Sequence, residues 1–142
     1  MFADAVLQLE RVYLERLILW GAVSIVAGTA VLAALAAWRS RSPLLSHFAR
    51  QTIVWGLGAV MVGALRWPTL ALRDLASATR LDRFLWFDAG LAVGVIAVGV
   101  ALSLIALKLG QRQGLLGAAL AVMVQGAALF AIHARLMLAL QV

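Results

Sequence analysis

The chain has 142 residues, 65% of them hydrophobic and 13% charged, with a formal net charge of +6 and a mean hydropathy of +1.02. Soluble domains hold about 45–50% apolar and about 25% charged residues, and a chain this short cannot bury enough of its surface to hide such an excess from water. An ordinary water-soluble fold is thereby excluded, and the absence of cysteine excludes disulfides, iron–sulfur ligation and thiolate metal sites.

The basic surplus rests on arginine, Lys108 being the only lysine. With so much Ala, Leu, Gly and Val it suggests a GC-rich bacterial genome, and hence the bacterial inner membrane. The arginines are scattered between apolar runs instead of lining one face, which argues against nucleic acid and for anionic lipid headgroups.

In chain order, Leu7, Leu9, Val12 and Leu14 alternate irregularly with Glu10, Arg11, Glu15 and Arg16, a pattern that extends the first span into the headgroup layer. Asp4 and Glu10 precede any basic residue, and the apolar run that follows is too long for a signal-peptide core, so the first span is expected to stay as an anchor. Residues 17–38 carry no charge and reach the ~20 residues needed to cross ~30 Å of hydrocarbon; the helix is expected over about 5–38. A second is expected over 43–66, with Ser42 as N-cap and Pro43 at the first helical position. In the connection 67–83, Leu72, Leu75, Ala76 and Thr79 fall on one helical face and Arg73, Asp74, Ser77 and Arg80 on the other, which predicts a short helix lying in the interface. The third span, 84–108, is interrupted only by Asp88, and the fourth, 113–140, carries His133 and Arg135 toward its end. These runs do not alternate as barrel strands do, and helices satisfy their own backbone where water cannot. The expected fold is a single integral membrane domain, an all-α bundle of four transmembrane helices with a short interfacial helix between the second and third.

Four crossings put the N-terminus, the middle connection and the C-terminus on one side and the two short turns on the other. All six acidic residues fall on the first side, whereas Arg39, Arg41, Arg50, Lys108 and Arg112 lie on the turn side without an acid. Charge difference makes the basic turns cytoplasmic; a count of Lys and Arg alone favours the other side. The first orientation is adopted here, on the view that Arg66 and Arg135 are buried in the bundle.

Ionisable groups inside a membrane cost at least ~2.5–3.5 kcal/mol at mid-depth, so Arg66, Asp88, His133 and Arg135 are the candidates for chemistry. All belong to the N-terminal side and are expected to form one polar intramembrane cluster, serving either as a structural ion pair that fixes helix register or as a site for an ion, proton or anionic ligand. Gln125, deeper in the fourth span, suits an interhelical hydrogen bond worth ~0.6–2 kcal/mol. His47 and His133 lie about a bilayer apart, which argues against shared haem or metal ligation, and nothing marks a nucleophile with its base; no catalytic residue, metal or cofactor is expected. Gly90 and Gly94 in the third span, and Gly117 and Ala121 in the fourth, have the spacing of small-residue helix-packing faces. Trp20, Trp38, Trp67 and Trp86 suit an aromatic belt, with Trp55 set deeper.

The motifs Trp20-Gly21, Ser24-Ile25 and Gly28, Trp55-Gly56 with Gly58, Asp88-Ala89-Gly90-Leu91-Ala92-Val93 with Ile96 and Gly99, and Gln125-Gly126 with Leu129 resemble a family of small bacterial four-helix integral membrane proteins known only as a domain of unknown function. The family pattern implies an intramembrane acid where Ala92 stands, another acid at His133 and an amide at Asp88, so its polar positions are rearranged here. The resemblance implies four helices and no activity.

Three function classes stand: a non-catalytic accessory subunit, assembly factor or homo-oligomeric scaffold; a small ion, proton or solute transporter or channel using the cluster around Asp88; and a cofactor- or lipid-binding membrane enzyme. The expected partners are the lipid bilayer and either further copies of the chain or the other subunits of a larger membrane complex.

Overall fold

The computed structural model describes residues 2–140, and all its regular elements are helical: α1 (Phe2–Ala37), α2 (Pro43–Arg66), α3 (Leu75–Lys108) and α4 (Gln113–Leu140), with one 3-10 turn at Trp67–Thr69. All four helices are long and apolar enough to cross a membrane, and the chain is a membrane protein built as a helix bundle.

Local chemistry sets the helix ends. α1 stops where Arg39 takes a left-handed φ of 49°. Its N–H then reaches the Ala36 carbonyl at 3.2 Å and that of Ser40 reaches Leu35 at 3.0 Å, the paired bonds of a Schellman ending. The Ser42 hydroxyl accepts from the Leu45 N–H at 3.3 Å, with Pro43 opening α2. At the head of α3 the Asp74 carboxylate accepts from the Ser77 N–H at 2.8 Å. Gly110 and Gln111, both left-handed, turn the chain into α4.

The separate interfacial helix expected between the second and third spans does not form. Residues 70–74 have no regular structure, and the amphipathic stretch from Leu75 is already the first part of α3. Neither Gly nor Pro occurs between Leu75 and Asp88, so nothing breaks the hydrogen-bond ladder at Phe84, and a break there would orphan backbone groups on both sides of it.

α1 packs on α2, α2 on α4 and α4 on α3, with a smaller contact between α1 and α4; α2 and α3 do not pack along their length. The turn-side half is held by small residues. A Cβ added to Gly21 would lie 2.6 Å from the Gly56 carbonyl, and one added to Gly56 would lie 2.7 Å from that of Gly21. Gly117 faces the Leu44 backbone, and Gly126 faces Ile96. In the half nearer the N-terminus, larger side chains take over: Tyr13, Leu14, Leu17, Leu81, Leu85, Leu136 and Met137 form one buried cluster.

Gly117 and Ala121 are buried in this packing. Gly90 and Gly94 are not: both are exposed, with nothing within 4 Å of an added Cβ. α3 carries small residues on two sides, and it is Ala89, Ala92 and Gly99 that turn inward. Spacing alone does not say which side meets a neighbour.

Candidate polar centre and cleft

The buried positions of α1 are Val6, Glu10, Tyr13, Leu14, Leu17, Gly21, Ser24 and Gly28; apart from Leu14 beside Tyr13 they recur every three or four residues, so that one seam faces the bundle throughout. Tyr13, the only tyrosine, sits on that seam. Its hydroxyl lies 3.0 Å from His133 Nε2, and the Asp88 carboxylate lies 3.5 Å from the same nitrogen. His133 Nδ1 is 2.6 Å from the Leu129 carbonyl. A carbonyl only accepts, so Nδ1 carries a proton and Nε2 faces both oxygen partners. With Nε2 bare, Tyr13 donates to it; with Nε2 protonated, the imidazolium meets the Asp88 carboxylate. The imidazole on α4 thus holds α1 in one state and α3 in the other.

Arg66 stands at the edge of this group. Its guanidinium lies 4.2 Å from the Phe84 ring centre, and its charge acts on both Tyr13 and Asp88. Arg135 does not join them: it is exposed and lines a separate groove with Arg16, Trp20 and Ile132. Three of the four expected cluster residues therefore share one neighbourhood, and the fourth faces away.

Gln125, only 1% exposed, spans from α4 to α1. Its carbonyl accepts from Trp20 Nε1 at 2.8 Å and its amide donates to the Ser24 hydroxyl at 3.1 Å. Trp20 thus serves an interior bond, a role that a position near a helix end does not suggest. Further out, Arg73 clasps Glu10 with two bonds of 2.8 and 2.6 Å. These bonds hold the Arg73 guanidinium above its ordinary pKa, although partial burial works against them. Sequence reading singled out neither Tyr13 nor the Glu10–Arg73 pair; the seam spacing on α1 was the available signal. His47 lies against Gly114 at the opposite end of the bundle.

Because α2 and α3 stand apart, a cleft of about 430 Å³ opens between them. Trp55, Gly58 and Met61 form one wall and Leu91 and Val95 the other, with Tyr13, Asp88, Gln125 and His133 bordering it. Among the described residues no three His, Asp or Glu side chains come together as a metal site would require.

The model of a family of unknown function (DUF6992) matches residues 16–134. The chain belongs to that family. The match takes in α2 and α3 whole and most of α1 and α4, including Trp20, Ser24, Asp88, Gln125 and His133, while Glu10 and Tyr13 precede it. No curated protein and no solved structure matches the chain.

Proposed function

We propose that this protein is a non-catalytic membrane component, an accessory subunit, assembly factor or homo-oligomeric scaffold, in which the Tyr13–His133–Asp88 group clamps helices together. One observation carries the reading: among the described residues no buried side-chain nitrogen or oxygen lacks a hydrogen-bond partner. Closed polar networks rigidify a core and specify its packing. The outward Gly90 and Gly94, which leave room for another helix to approach, support assembly with a second chain.

The test is Asp88→Asn in purified, reconstituted protein. A structural clamp predicts a lower melting temperature and no ion or proton flux in wild-type vesicles. Wild-type flux that Asp88→Asn abolishes without a change in melting temperature would replace this reading with transport, which the position of Asp88 at the cleft wall would then explain. Native mass spectrometry of the gently extracted protein reads the partner question directly, as a second polypeptide at fixed ratio or a homo-oligomer.

A further inference from the structure

A second cavity, of about 310 Å³, lies at the head of α3, bordered by Arg66, Thr69, Arg73, Ser77, Arg80 and Phe84, with Glu10 and Leu81 completing it. Three guanidiniums and two hydroxyls border it, against one carboxylate. That carboxylate is neutralised, since both oxygens of Glu10 are held by Arg73. Among the described residues neither Arg66 nor Arg80 lies within ion-pair distance of a carboxylate; Asp88 acts on Arg66 and Asp74 on Arg80 only from farther away. Arg66 instead rests on the Phe84 ring, its charge directed by an aromatic face. The cavity thus holds a net positive charge, and guanidiniums are the groups that recognise phosphate.

The cavity is also in line with the cleft. Glu10 and Tyr13 on α1, Arg66 and Val62 on α2, and Phe84 and Asp88 on α3 each border first one space and then the other. Each step is about one helical turn, ~5–6 Å. An arginine-lined chamber therefore lies one helical turn beyond an apolar slot between α2 and α3. The Asp88 carboxylate stands at the junction, 3.5 Å from His133 Nε2 and within the field of the Arg66 guanidinium.

From this alignment we infer that the two spaces form one binding site for an anionic phospholipid, its phosphate between Arg66 and Arg80 and an acyl chain in the slot beside Gly58. This goes beyond the structural role proposed above and does not depend on it. Charge complementarity selects an anionic headgroup over a zwitterionic one. The apolar slot selects a lipid over free phosphate.

The experiment is native mass spectrometry of the full chain in detergent, titrated with phosphatidylglycerol, phosphatidylcholine or inorganic phosphate. One phosphatidylglycerol should be retained preferentially. Arg66→Gln with Arg80→Gln should weaken its retention by about tenfold or more, as expected for lost charge-assisted bonds. The charge-matched pair Arg16→Gln and Arg83→Gln, outside the cavity, should leave it unchanged. Gly58→Leu projects into the slot from a position where an added Cβ has nothing within 4 Å; it should weaken lipid retention while the melting temperature holds. Equal retention of phosphatidylcholine, inorganic phosphate binding as tightly as lipid, or phosphatidylglycerol retention untouched by both the arginine pair and Gly58→Leu would each overturn the assignment.

Discussion

Where α1 crosses α2, Gly21 and Gly56 bring the two backbones together, whereas toward the N-terminus of α1 the contact passes to Tyr13, Leu14 and Leu17 against Leu85 and Leu136. The difference follows the solvent. Inside hydrocarbon a leucine gains nothing by leaving lipid for protein, so helices associate through close backbone approach and a few hydrogen bonds. At the other end the outer turns of α1 and α3 pack larger apolar side chains, and burying those that would otherwise meet water adds the ordinary hydrophobic effect. The polar residues divide likewise. Gln125 makes single interior bonds within the glycine-packed half, while the other end holds the Tyr13–His133–Asp88 group and the Glu10–Arg73 clasp.

The largest expected effect breaks the glycine half. Gly56→Leu should cost about 3 kcal/mol or more, because the new side chain meets the α1 backbone, which cannot yield. Gly90→Leu, with open space around it, should stay within about 0.5 kcal/mol; equal damage from both changes, in thermal melts followed by tryptophan fluorescence, would refute the division. At the other end, Tyr13→Phe should cost about 1–2 kcal/mol by leaving His133 short of a partner in a buried site. Combined with Asp88→Asn it should cost less than the sum, because both act on the same imidazole nitrogen. Gln125→Leu should cost about 1 kcal/mol, since it releases Trp20 and Ser24 together.

The smallest effect concerns acid. Hydrogen bonds from the Ser77 hydroxyl and N–H hold the Asp74 carboxyl below its ordinary value. Its stabilisation of α3 is therefore fully present above the ordinary carboxylate range and lost as pH falls through the depressed value. Asp74→Asn keeps a capping oxygen and should flatten that portion of a melting-temperature profile against pH; an unchanged profile would mean the cap carries no weight.

The four apolar helices are legible because hydropathy and length are what lipid selects on, and Ser42-Pro43 announces a helix start through chemistry confined to neighbouring residues. The start of α3 misleads because an amphipathic stretch reads the same whether it lies in the interface or continues a span; only the lack of a breaker before Asp88 separates the two. Membership of the polar centre is harder to read. Arg66 and Arg135 each lie near a helix end on the same side, yet their rotational positions send one toward Phe84 and the other to the outer groove. Tyr13 escapes notice amid the charges of residues 10–16, although its place between Glu10 and Leu17 on a three-four spacing marks the inward face.

α1 and α3, at 36 and 34 residues, run to about 54 and 51 Å at 1.5 Å per residue, against a hydrocarbon layer of about 30 Å. α2 and α4 are shorter, at 24 and 28 residues, and the surplus of the longer pair gathers at one end, where the Glu10–Arg73 clasp joins α1 to the segment that leads into α3. A lone helix that overshoots its bilayer leans over by itself. Here the long helices are cross-braced, so a thinner membrane must incline all four together about a common axis, and the molecule meets changes of thickness as a stiff post.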